Sequence, residues 1–125
     1  MKKKIFTPNA PKAIGPYSQA VMAGDFLYIS GQIPLCPVTG EVVGQTAPEQ
    51  AVQVFKNLQA ILTEAGMTFD NAVKTTVLLA DIADFAAMNG VYATFFTENM
   101  PARVCYEVAK LPMGAKVEID AILCK

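Results

Sequence analysis

Histidine is absent from this 125-residue sequence, and arginine occurs once, at position 103. Without imidazole, Ser-His and Cys-His nucleophile pairs, the HExxH zinc site and the usual imidazole proton shuttle are all excluded. Chemistry must rest on carboxylates, Tyr, Ser, Cys, Lys or backbone groups. Charge is sparse as well. Only 17% of residues are charged and the net charge is −1, so no broad basic field exists to neutralise a row of phosphates. Cys36, Cys105 and Cys124 are odd in number and lack CxxC spacing, which argues against a disulfide framework and a thiolate metal site and for a reducing compartment. No run approaches the roughly 18 apolar residues of a membrane span. Lys2-Lys3-Lys4 is followed by Thr7-Pro8-Asn9-Ala10-Pro11-Lys12, where a signal peptide needs an apolar core. A cytoplasmic protein is expected, with neither membrane nor nucleic acid as partner.

What is present is apolar. Apolar residues make up 53% of a chain whose length suits one domain, taken as residues 1–125. So lean a surface suggests that part of it faces another subunit. The solitary Arg103 stands out because the other nine basic residues are lysines. Its fork of donors suits planar, two-point recognition of a carboxylate or phosphate, which lysine cannot provide.

Residues 17–23 and 26–30 are short β-prone runs around Gly24-Asp25, a plausible tight hairpin. Residues 31–41 carry the Pro and Gly of a loop. Thr46-Ala47-Pro48-Glu49 has capping-box spacing, and Ala51, Phe55, Leu58, Leu62 and Ala65 then recur at helical intervals before Gly66. Residues 72–80 predict a buried strand. A second helix is expected from Asp81 or Asp84, with Phe85, Met88, Tyr92 and Phe95 on its buried stripe. Gly90 inside it should mark a close contact, since glycine costs about 1 kcal/mol against alanine there. In the last two strands, alternation separates Arg103, Cys105 and Glu107 from Val104, Tyr106 and Val108, and Glu118 and Asp120 from Val117, Ile119 and Ala121. The expectation is that each strand turns its apolar set to the helices, which would let Arg103 and Glu118 look into one cavity.

Four segments resemble the Rid family, the reactive intermediate deaminases also called the YjgF family, and its RidA subgroup. They are residues 9–20 (NAPKAIGPYSQA); Ser30-Gly31-Gln32-Ile33-Pro34 with Thr39-Gly40-Glu41; Val73-Lys74-Thr75-Thr76-Val77 with Asp81-Ile82-Ala83-Asp84-Phe85; and Pro101-Ala102-Arg103-Val104-Cys105 through Val117-Glu118-Ile119. The resemblance runs nearly end to end. It implies an α+β, chorismate-mutase-like fold, a relative of the ferredoxin-like folds, with two helices on one face of a mixed β-sheet. It also implies a homotrimer whose sheets form a central barrel, with sites between subunits. The implied activity is hydrolysis of 2-aminoacrylate and related enamines or imines, such as 2-iminopropanoate and 2-iminobutanoate, to 2-oxo acids and ammonia. Neither cofactor nor metal is implied.

Carried over residue by residue, the resemblance makes Arg103 the clamp for the substrate carboxylate and Glu118 the group that orients and deprotonates water. Tyr17 hydrogen-bonds the substrate or closes the cleft, and Ser30 and Gly31 form the pocket lip. Cys105 lines the pocket, and no histidine or assigned cation activates it as a nucleophile. Asn89 resembles a helix-borne asparagine of the subgroup, with a role either at the site or in capping backbone groups. Two departures stand out: residues 97–101 form a shorter loop than in many relatives, and Cys36 sits where relatives commonly carry Asp or Asn. Three other readings compete: a non-catalytic 2-oxo-acid sensor using the same arginine, an RNA-directed ribonuclease or translation inhibitor, and a chorismate mutase by fold analogy. The acidic balance and single arginine weigh against the RNA reading, and fold alone does not carry the last one.

Overall fold

The computed structural model describes all residues, Met1–Lys125. Six strands form one sheet: β1 (Lys2–Ile5), β2 (Ala20–Ala23), β3 (Phe26–Gln32), β4 (Ala72–Leu79), β5 (Ala102–Glu107) and β6 (Val117–Cys124). Their spatial order is β1-β2-β3-β6-β4-β5. Only β4 and β5 run parallel, joined by a helical crossover, so the sheet is mixed. Helices α1 (Ala47–Glu64) and α2 (Phe85–Phe95) supply the second layer.

The local signals explain most of these boundaries. Ala23 pairs with Phe26 across Gly24-Asp25, and Gly24 has φ +60°, so the β2–β3 turn is a two-residue hairpin. Thr46 and Glu49 form both hydrogen bonds of the capping box on α1. Asp81 caps a single 3-10 turn over Ile82–Asp84 that leads into α2. Phe55 of α1 lies at the centre of an aromatic cluster. It stacks on Phe95 at 4.5 Å and meets Phe69, Tyr92 and Phe96 edge-on, a geometry that adds to simple burial.

Several expectations are corrected. Residues 17–19 lie outside the hairpin, because the Gln19 side chain turns inward to hold the N-terminal segment. It accepts from Thr7 N–H at 2.8 Å and donates to the Thr7 and Pro11 carbonyls at 3.0 and 2.9 Å. β1 was not legible as a strand; its lysines are exposed and only Ile5 is buried, as suits an edge. Gly90 has no close neighbour: a Cβ there would meet nothing within 4 Å. The main correction concerns β5. Arg103 is in register with Thr75, which is fully buried and bonded to Tyr92 of α2. Arg103 and Cys105 therefore face the helices, while Val104 and Tyr106 lie on the open face, 42% and 48% exposed. Glu118 and Asp120 do face away from the helices, as expected, because Val117, Ile119 and Ala121 are buried beneath them.

Candidate active site

Two polar half-sites form on opposite faces of the sheet. The first is built where β3 loses register with β6, between Ile29 and Gln32. The bulge frees Ser30 and Gly31 from regular pairing and brings Gly31 under Glu118 so closely that a Cβ on Gly31 would overlap the Glu118 carboxylate. Glycine is required here by close approach, not by a positive φ. Ser30 donates its hydroxyl to the Ser18 carbonyl at 2.6 Å and its N–H to the Gln19 carbonyl at 2.9 Å. Those bonds fasten the segment carrying Tyr17 against β3. Tyr17, 54% exposed, and Glu118 line one open cavity of about 370 Å³, together with Gly31, Lys12, Ile33 and Met113.

Glu118 is half-buried, and burial pushes its carboxyl pKa up, with the neighbouring Asp120 charge adding to the rise. A carboxyl so placed holds a proton above the ordinary glutamate range and then becomes a base, which suits proton transfer.

The second half-site is built by α2 and the start of β5. Phe85, Asn89 and Tyr92 follow one another at four- and three-residue intervals and so share a helix face. Arg103 lies against that face. Its Nη1 donates to Asn89 Oδ1 at 2.6 Å, and its guanidinium carbon sits 4.6 Å from the Tyr92 ring centroid and 5.4 Å from that of Phe85. None of these partners is acidic, so most of the arginine's donors and all of its charge are free for an anion. An open cavity of about 450 Å³ adjoins it, lined also by Met100 and Pro101. Cys105 follows on the same face. Burial raises its thiol pKa, against a smaller opposing pull from Arg103, which disfavours a nucleophilic thiolate, and it lines neither of the two cavities, contrary to the expected pocket-lining role.

The two half-sites share no lining residue. Arg103 aligns across β4 with Thr75 and Ala121, whereas Glu118 aligns with Leu78 and Tyr106. Those are opposite sheet faces, so the single cavity expected for Arg103 and Glu118 does not exist within one chain. Alternation along β5 put Cys105 on the Arg103 face, whereas the contact of Arg103 with Asn89 and its supports Tyr92, Phe85 and Thr75 emerge only in the tertiary structure. The available signal was the spacing that sets Asn89 between two aromatics on one stripe. No group of three His, Cys, Asp or Glu side chains gathers closely enough to hold a metal ion. No helix is long and apolar enough to cross a membrane.

Comparison with known proteins bears on this arrangement. The model of the family described as Endoribonuclease L-PSP matches residues 7–124. The E. coli YjgF gene product superposes with a TM-score of 0.92 at 48% identity, covering 98% of each chain. The chain belongs to the Rid (YjgF) family. Within this Rid family, the human 2-iminobutanoate/2-iminopropanoate deaminase is 50% identical over 98% of this chain and 89% of its own length. The RutC family protein y4sK of Sinorhizobium fredii is 55% identical over 98% of both chains. The observed fold, two helices on a mixed six-stranded sheet, is that of this Rid family.

Proposed function

We propose that this Rid protein hydrolyses 2-aminoacrylate and related imines, including 2-iminopropanoate and 2-iminobutanoate, to the 2-oxo acid and ammonia. The observation that carries the reading is Arg103, an arginine with no acidic partner, braced by Asn89 and two aromatic rings at the edge of an open cavity. The deaminase activity named for the human relative supports it.

The chemistry asks little of the protein. The enamine gains a proton at carbon to become an iminium ion, the protonated imine, whose C2 is already electrophilic. Arg103 holds the carboxylate by two hydrogen bonds and fixes C2 in place. Glu118 accepts a proton from water as the water oxygen bonds to C2, giving a tetrahedral amino alcohol. Return of that proton to nitrogen lets the C–N bond break, and ammonia leaves as the C2 hydroxyl passes its proton to the Glu118 carboxylate to form the ketone. Tyr17 hydrogen-bonds the amino nitrogen or the water and walls the cleft. Gly31 leaves room beside Glu118, Ser30 holds the Tyr17 segment in place, and Asn89 and Cys105 shape the arginine side.

The working unit in this reading is a homotrimer with sites between subunits, where the Arg103 half-site of one copy meets the Glu118 half-site of its neighbour. The apolar side chains left open on the sheet face opposite the helices, Phe26, Tyr28, Val104 and Tyr106, each 41–48% exposed, support subunit packing there. The reaction needs neither a cofactor nor a metal, and the protein works in the cytoplasm.

The test is to feed freshly generated 2-aminoacrylate to the wild type, Arg103→Ala and Glu118→Gln and to follow ammonia and pyruvate. Equal rates in all three overturn the enzyme reading. Binding of 2-oxo acids through Arg103 without turnover would instead favour a sensor. The family's ribonuclease description keeps an RNA-directed role as the competing outcome, and a salt-dependent RNA complex would favour it.

A further inference from the structure

Tyr92 is one of few polar side chains held within the aromatic core. It is 7% exposed, and its hydroxyl shares a 2.8 Å hydrogen bond with Thr75, itself fully buried. Phe55 meets its ring edge-on at 5.8 Å and Phe96 lies against it at 4.6 Å. The ring is thus fixed at its tip by a hydrogen bond and along its sides by packing. The remaining open contact is with the Arg103 guanidinium, at 4.6 Å. Thr75 is also the register partner of Arg103 across the β4–β5 ladder. Backbone pairing, a buried hydroxyl pair and a ring-to-cation contact therefore close a circuit that begins and ends at Arg103.

An arginine side chain has four rotatable bonds before its plane, and ordering it for a ligand costs entropy. Asn89 fixes one donor. A ring face fixes the plane, because a cation over an aromatic quadrupole prefers one approach.

We propose that Tyr92 is a positioning residue: tethered by Thr75, it sets the plane in which Arg103 receives the substrate carboxylate. Tyr92 acts through Arg103 and touches no reacting atom. The inference rests on the carboxylate-clamp reading of Arg103 given above, and its test separates the two.

The probe is 2-oxobutanoate, a stable 2-oxo acid, compared with its uncharged amide, with binding to the intact assembled protein followed by NMR titration. The informative quantity is the preference for carboxylate over amide, which a general loosening of the pocket leaves unchanged. Tyr92→Leu removes the ring, and the preference falls by about five- to tenfold, the range of a partly buried cation–ring contact. Tyr92→Phe and Thr75→Val keep the ring but release its tip, and the loss shrinks to about two- to threefold. In an Arg103→Ala background, Tyr92→Leu costs nothing further.

If Arg103→Ala lowers the preference but the Tyr92 and Thr75 variants do not, or if they weaken acid and amide alike, the positioning role is overturned and the clamp stands. If Arg103→Ala leaves the preference unchanged, the clamp itself fails. Should Tyr92→Leu not assemble, the Tyr92→Phe and Thr75→Val pair decides, an unchanged preference in both overturning the role.

Discussion

Arg103 and Glu118 lie on strands separated only by β4, yet their side chains leave the sheet on opposite faces. Each has its own open cavity. In the proposed reading, a substrate touching both is held between two copies of the chain.

That relationship predicts complementation between inactive proteins. Arg103→Ala and Glu118→Gln, each purified alone, are expected to be nearly inactive. When they are unfolded and refolded together in equal amounts, about one quarter of all sites across the randomly assembled rings regain an intact arginine and glutamate. Deaminase activity measured after mixing should rise accordingly. No recovery, with mixed rings demonstrated by native mass spectrometry, would overturn the site shared between copies.

Charge alone will not replace the arginine. Arg103→Lys keeps a cation but loses the planar fork and its fit against the Tyr92 ring, so kcat/KM should fall by about ten- to a hundredfold, and further in Arg103→Ala. Steady-state deamination assays read this directly. A lysine variant with wild-type efficiency would show that a point charge suffices.

Glu118 links pH to both activity and stability. Its folded-state pKa is raised by burial first and by Asp120 second. Between the ordinary glutamate value and that raised value, the folded protein binds more protons than the unfolded chain, so this group's contribution to stability declines as pH rises. Melting temperatures across that window should fall less steeply in Glu118→Gln than in the wild type. The same variant should lose about a hundredfold or more in kcat, since an amide cannot take the proton from water. An identical pH slope in the two proteins would remove the basis for a raised pKa.

Two glycines should respond oppositely to alanine. At Gly31 a Cβ collides with the Glu118 carboxylate, so Gly31→Ala must displace that side chain and should abolish most turnover. At Gly90 in α2 the added methyl meets nothing within 4 Å. Gly90→Ala should therefore stabilise the fold by about 0.5–1 kcal/mol, leaving activity intact. Thermal melts and ammonia release on the same preparations check both.

Much of this was legible from the residues. The Thr46–Glu49 capping box, the α1 stripe through Phe55 and the Gly24-Asp25 turn are local patterns, and local hydrogen bonding and periodicity specify them. The motif around Arg103 and Glu118 pointed to a carboxylate clamp and a proton-handling acid. Other features depend on what a segment packs against. β1 is a strand only because β2 offers it an edge, and residues 17–19 leave the ladder because Gln19 finds better partners in Thr7, Ala10 and Pro11.

The sequence by itself determined the family, the two helices, the chemical types at the site and the exclusion of histidine-based chemistry. It also determined that Arg103 and Cys105 share a face, because side chains alternate along any strand. Which face that was, only the tertiary structure decided. Alternation is blind to the direction of the core, and the usual rule of apolar residues toward the helices fails on β5. There α2 offers Arg103 an asparagine oxygen and two aromatic rings, so the polar set is accommodated inward, while Val104 and Tyr106 are left on the open face.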